Sequence, residues 1–368
     1  MQSLFALQQC KDANHELCIE RIGEAFAPDL NSMEVQDKAA LNAQKKEATE
    51  IFEAAFAQGL GSVTQENVRI QKAVNEALVF YVTQVRKDSD FLKKQLTTEV
   101  ERLFDVYIAV LALAGAFAEA AEADKKVSHA NFINNTWIQA LKKSEVIRKE
   151  ALKLNRHWDN KHDRTKAWFK DVVRMDEGYL SYLDKKRPSL DDQKKFANHI
   201  FRKIILGATV INEYFEEEVL RWAEDKEIVK GLVEKTVKSF NPEVNPEISL
   251  HTLSLNWDDD KDFMEQLFME ASNLDDQHRE LISRNTRNWE VERLPLTDRV
   301  ILQMAIAELI TFPNIPVKVT INEYIELAKN YSTPKSRQFV NGILDVIANE
   351  LKNAGEVKKS GRGLIDNK

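Results

Sequence analysis

Between Leu296 and Leu351, apolar residues recur at three- and four-residue spacing through three consecutive segments, which commits this part of the chain to packed helices. The first segment, Val300 to Ile310, is apolar nearly all round and belongs at the centre of a bundle. Thr297 is placed to cap it, with Asp298 in its first turn, where a carboxylate suits the positive end of the helix dipole. The second carries the stripe Ile321, Tyr324, Ile325 and Ala328. It starts either with Pro316 as first helical residue or with a capping box formed by Thr320 and Glu323, and the residues do not choose between them. The third, with Thr333 as cap and Pro334 at its first position, carries Phe339, Val340, Ile343, Leu344, Val346, Ile347 and Leu351. Gly342 inside it disfavours a helix by about 1 kcal/mol relative to alanine, so a close helix–helix approach is expected there.

Composition extends the helical reading to the whole chain. Only 11 Gly and 8 Pro occur among 368 residues, while 43% of the chain is hydrophobic, enough for a real core. The net charge of −7 excludes a protein that is basic overall, though not a local nucleic-acid patch. Cys10 and Cys18 have no partner at metal spacing and read as reduced thiols. The longest uncharged run, Val106 to Ala118, is too short to span a bilayer, and no signal peptide is recognisable after Met1, so a soluble, cytoplasmic protein is expected.

Helical patterns fill the rest. Met1 to Gln9 reads as the interior of a helix, Asp12 to Phe26 as an amphipathic helix, and Met33 to Phe56 as another, ended by Gly59-Leu60-Gly61. Thr64 to Glu122 is helical with breaks expected near Asp88 and Asp90, and Ala-rich Val106 to Ala121 should be buried. Asp124 to Asn135 is polar and loop-like. Trp158, Leu190, Trp222, Trp257 and Trp289 recur at separations of 32, 32, 35 and 32, most of them followed by acidic residues suited to capping. Such a period suggests stacked helical pairs, with the aromatics packed in the core rather than displayed to RNA bases. The expected organisation is a helical region over 1–125, a repeat region over 126–245, a further domain over 246–354 after the Pro242 and Pro246 stretch, and a disordered tail over 355–368.

No Gly-rich phosphate loop, nucleophile elbow or zinc-binding His pair is present, so neither catalysis nor a cofactor is expected. Asp258-Asp259-Asp260 lacks the alternating spacing of a calcium loop and reads as a solvated helix start, and His157 and His162 beside Asp159 read as surface residues. The chemistry concentrates instead at Tyr331, Lys335, Arg337, Gln338 and Phe339, around a helix N-terminus whose free N–H groups and positive potential suit phosphate. From Tyr331 to Lys368 there are seven Lys/Arg against four Asp/Glu, a local +3. By spacing alone, Phe339 fits either a base stack or the core.

These blocks resemble the NusB family of transcription antitermination factors. The matching patterns are Trp289…Arg293-Leu294…Asp298-Arg299…Ala305…Glu308-Leu309, then Val319-x-Ile321-Asn322-Glu323-x-x-Glu326-Leu327-Ala328-Lys329, then Phe339-Val340-Asn341-Gly342. The resemblance covers about the last third of the chain and implies an all-α NusB-type bundle preceded by a long helical extension. It also implies a non-catalytic protein that binds boxA RNA with the ribosomal protein NusE and joins elongating RNA polymerase with other Nus factors. It carries RNA contact to Tyr331, Lys335, Arg337, Gln338, Phe339 and Asn341, and the NusE-facing surface to Phe5, Gln9, Glu292, Asp298 and Arg299. Lys335 stands where the family often has an acidic residue. Met1 to Gln9 resembles the interior of the family's first helix, ahead of which members usually carry an Arg-rich segment, and weak, salt-shallow RNA binding is expected without it. RNA cytosine methyltransferases also carry a NusB-like domain, but no βαβ pattern for their cofactor occurs in this chain. A protein-binding scaffold without RNA affinity is the other alternative.

Overall fold

The computed structural model describes residues 1–29, 35–286 and 294–367, so Trp289 and Glu292 lie outside the described residues. Among those described there is no strand. In chain order the helices are α1 Gln2–Ala25, α2 Lys38–Ala57, α3 Val68–Ala123, α4 Ala130–Ile133, α5 Thr136–Lys143, α6 Glu145–Lys153, α7 His162–Asp171 and α8 Glu177–Leu183. There follow α9 Leu190–His199, α10 Thr209–Glu218, α11 Trp222–Ser239, α12 Trp257–Ser272, α13 Asp276–Thr286, α14 Leu296–Thr311, α15 Val317–Tyr331 and α16 Ser336–Asn353. Two compact units result: Met1–Thr97 with Lys261–Lys368, and Thr98–Asp260. The divisions fall at 97/98 and 260/261 rather than at the 125/126 and 245/246 read from composition. Phe240 and Ile248, at the two ends of the Pro-bearing stretch expected to be a domain boundary, are both buried in the core of the second unit.

The first unit is built from both ends of the chain. Leu4 and Leu7 of α1 join Leu267 and Phe268 of α12, the centre of α14, and Val340, Leu344 and Ile347 of α16 in one apolar cluster. Further along α1, Cys18 and Ile22 pack instead with Phe52 of α2 and Ile70, Val74 and Tyr81 of α3. Burial pushes the Cys18 thiol up to about 11, and its Sγ donates to the Ala77 carbonyl, which makes it an inert packing residue. α3 runs unbroken through Asp88 and Asp90. Acidic residues do not interrupt a helix as proline does, and Asn14 Nδ2 of α1 donates to Asp88 Oδ2 at 2.8 Å.

In the second unit, α3 residues from Leu103 to Ala121 form the core around which α4 to α11 are wrapped. α3 alone among the described helices is long and apolar enough to cross a membrane, but 72% of its most apolar window is buried within the protein. Three of the unit's buried tryptophans find a partner for the indole N–H. Trp158 Nε1 donates to the Ala109 carbonyl at 2.9 Å, Trp137 Nε1 to the Val237 carbonyl at 3.0 Å, and Trp222 Nε1 to Asn212 Oδ1 at 3.1 Å. The segment expected to be a loop, Asp124 to Asn135, instead contributes α4 and two buried polar residues. Asn135 caps α5 through Oδ1 and gives Nδ2 to Tyr182 Oη, while His129 bridges Asp124 and Tyr179.

The 32-residue spacing marks helix starts but not equivalent repeats. Trp158, Leu190, Trp222 and Trp257 each stand at the beginning of a continuous helical stretch, which runs to Asp171, Ile205, Ser239 and Ser272 respectively. Trp222 is 1% exposed whereas Leu190 is 41% exposed, so a shared stacking role is absent. Of the acidic residues after them, Asp192 completes a capping box with Ser189.

The C-terminal helices start elsewhere than their polar residues suggested. α14 begins at Leu296, so Thr297 lies inside it and caps nothing. Pro316 is the residue before α15 rather than its first, and Thr320 is buried within the helix. α16 begins at Ser336, two residues beyond Pro334, because the hydroxyls of Ser332 and Thr333 both turn onto the Ser336 hydroxyl. Gly342 is exposed with no atom near the place of a β-carbon, so no close helix approach explains it. The tail is docked rather than loose. Lys359 Nζ donates to the Phe312 carbonyl at 2.9 Å and the Ser360 N–H to the Pro313 carbonyl at 2.9 Å, supplying donors at the end of α14, where the last carbonyls lack helical partners.

Inside this bundle Tyr324 Oη donates to Glu308 Oε2 at 2.9 Å, with both side chains buried. Burial raises the Glu308 carboxyl above its ordinary range, and hydrogen bonds from Thr320 and Tyr324 offset part of that. The folded protein therefore holds this proton more tightly than the unfolded chain does. That contribution is fully present below the ordinary carboxylate range and is lost as pH rises through the folded value. Glu308→Gln, which keeps an acceptor for Tyr324, is expected to raise the melting temperature by a few degrees at pH 7 to 8, as about 1 kcal/mol would. The gain should vanish near pH 4, and thermal melts across that range measure it.

Candidate nucleic-acid interface and partner face

The joint between α15 and α16 is fixed from below. Asp298, in the first turn of α14, is 2% exposed, and its Oδ2 accepts from Ser336 Oγ at 2.7 Å. Losing such a bond to a charged acceptor costs about 1.5–3 kcal/mol. This anchored hydroxyl is the one that gathers Ser332 and Thr333, so a single buried carboxylate sets where α16 starts. Asp298 is thus withdrawn from the solvated or partner-facing surface on which it was expected, and the second of its oxygens, Oδ1, is buried without a hydrogen-bond partner.

Above that anchor the α16 start is cationic and open. Lys335 is the residue before the helix, Arg337 lies in its first turn, and both are exposed. No carboxylate among the described residues forms an ion pair with either one. Cations at the positive end of a helix dipole are disfavoured by about 0.3–1 kcal/mol each unless an anion is near. Gln338 and Asn341 are also exposed, and Arg337 and Asn341, four apart, share one face of α16. Tyr331 closes α15 at 38% exposure.

Phe339 belongs to the interior. It is 9% exposed and lies in the same apolar cluster as Val340, Ile343 and Ile347. Of the two roles its spacing allowed, the structure gives it the core, and Tyr331 is the exposed aromatic at this joint. Sequence reasoning missed Ser336. The only signal for it was a pair of hydroxyls four apart, Ser332 and Ser336, next to a helix start.

The residues assigned to a partner face divide similarly. Phe5, 37% exposed, and Gln9, exposed, lie four apart on α1 opposite its buried Leu4 and Leu7. Arg299 is exposed on α14, which packs against α1, so residues from the two ends of the chain come onto neighbouring helices. Glu292 lies outside the described residues. Elsewhere, His157 Nδ1 is 3.4 Å from Asp159 Oδ2, His162 is exposed, and no cluster among the described residues could hold a metal ion.

The architecture is that of a helical bundle whose C-terminal helices present a basic helix start and whose first helix comes from the far end of the chain. Residues 234–349 match the model of the NusB family. Over 105 residues the chain is 45% identical to the transcription antitermination protein NusB of Salinibacter ruber, covering 28% of this chain and 66% of that protein. Over 85 residues it is 51% identical to the protein of the same name from Chloroherpeton thalassium, covering 23% and 40% respectively. A third, from Dictyoglomus turgidum, is 47% identical over 87 residues, 24% of this chain and 58% of that relative. The chain thus spans between 40% and 66% of the length of these curated relatives. No solved structure matches it. In its C-terminal part the chain is a NusB-family protein.

Proposed function

We propose that this protein acts without catalysis in transcription antitermination. In this reading it binds boxA RNA of ribosomal-operon transcripts together with the ribosomal protein NusE, and the complex joins elongating RNA polymerase with other Nus factors. The observation that carries the reading is the exposed, carboxylate-free pair Lys335 and Arg337 at the start of α16, inside the region that matches the NusB family. Tyr331, Gln338 and Asn341 supply the adjoining aromatic and amide groups, and Phe5, Gln9 and Arg299 the partner face.

Binding of a boxA oligonucleotide, measured by fluorescence anisotropy with and without the ribosomal protein, tests this. Lys335→Glu with Arg337→Glu is expected to weaken binding while leaving the melt unchanged. The slope of log affinity against log salt should fall by about 0.7 for each phosphate contact removed. Equal affinity in the double variant would sink the interface. Absence of RNA binding with the ribosomal protein still bound would favour a protein-binding scaffold.

A further inference from the structure

A cavity of 1070 Å³ lies within the first unit, with Leu4 and Leu7 of α1, the end of α2, Tyr81 of α3 and the starts of α13 and α14 in its lining. Its charge is lopsided. Among the described lining residues, Lys11, Arg279 and Arg299, from three different helices, face one carboxylate, Asp276, which pairs with Arg279 at 3.6 Å. Lys11 Nζ reaches the Ser272 carbonyl at 3.4 Å, and no carboxylate among the described residues pairs with Lys11 or Arg299. Arg279 and Arg299 sit in the first turns of their helices, where the dipole opposes a cation. Burial, reinforced by repulsion from Arg279, holds the Lys11 ammonium below its ordinary value, and Asp12 offsets only part of this. Among the described residues these cations are crowded and outnumber the carboxylates that face them.

The lining also includes the aromatic and aliphatic residues Phe56, Leu60, Tyr81 and Val85. Phe56 and Tyr81 meet edge to face with centroids 5.0 Å apart. The turn beside them holds Leu60 at a φ of 65°, a left-handed conformation that a branched residue seldom adopts and that persists at binding rims. The volume is at the top of the range for a single small ligand. We propose that this cavity binds a nucleoside phosphate, its phosphates held by Lys11, Arg279 and Arg299 and its base laid against Phe56 and Tyr81. The site is separate from the α16 interface, since none of Tyr331, Lys335 or Arg337 lines it.

Titration calorimetry of the full chain with ADP, ATP and tripolyphosphate reads the proposal directly. Saturable one-to-one binding of a nucleotide is expected, weakened at least about tenfold by Lys11→Gln with Arg279→Gln, as loss of charged phosphate contacts requires. Lys72→Gln, on the exposed face of α3, should bind like the parent. Hydrogen exchange of the unmodified chain, which no folding defect can confuse, should show ADP protecting residues 4–11, 56–60 and 276–283. The proposal is overturned if millimolar nucleotide gives neither heat nor protection, if the double variant binds unchanged, or if tripolyphosphate binds as tightly as ATP. BoxA binding is measured on the same variants: nucleotide binding lost with boxA binding kept supports two separate sites, and loss of both would assign the cavity to RNA and overturn the proposal.

Discussion

Trp222→Ala is expected to lower stability by about 3–5 kcal/mol, the range for removing a large aromatic from a packed core. Trp222 is 1% exposed, stacks obliquely on Phe215 with centroids 4.8 Å apart, and donates its indole N–H to Asn212. Truncation therefore leaves a void and also strands the Asn212 carbonyl oxygen, two penalties that add. Asn212 in turn caps the preceding turn through Nδ2 to the Leu206 and Ala208 carbonyls, so the damage should spread to the start of α10. Trp257, half-buried at the start of α12, is the internal comparison and should lose clearly less. Denaturant unfolding of the two variants measures the difference. Equal losses would mean that the regular spacing of these tryptophans reports equivalent environments after all.

Phe339→Ala is the second large effect, again about 3–5 kcal/mol, because the ring is part of the α14–α16 core. A ring that stacked on an RNA base would behave oppositely. Its truncation would leave the melt unchanged and weaken RNA binding by about 1–3 kcal/mol. The comparison with Lys335→Gln is decisive, since that exposed residue should affect RNA and not the melt. A Phe339→Ala protein that melts like the parent would return the ring to the interface.

These outcomes bear on how far the chain could be read from its residues. α14 was legible because an apolar run with helical spacing admits one solution, and every residue from Val300 to Leu309 except Gln303 is buried. The termini of α14 and α16 were not. Thr297 and Thr333 are good capping residues, but which hydroxyl caps depends on a carboxylate, Asp298, and a hydroxyl, Ser336, that are 38 residues apart. The polar tail read as disordered for the same reason. Its composition gives no hint that the Phe312 and Pro313 carbonyls wait for Lys359 and Ser360. Burial of Asp298 and Phe339 is likewise a property of the assembled bundle, invisible in local pattern. The exposed cations Lys335 and Arg337 were legible because charge at a helix start is a local fact.

Leu4 and Leu7 are synthesised more than 250 residues before their partners Leu267, Phe268 and the centre of α14. At about 5–20 residues per second that interval is on the order of tens of seconds. Through all of it the beginning of α1 carries an apolar face with nothing native to cover it, while the second unit, whose core is wholly internal to Thr98–Asp260, can already fold. Synthesis thus imposes a sequence of events in which the inserted unit is finished before the bundle that encloses it in the chain can close, and the beginning of α1 is the segment that a chaperone would have to guard.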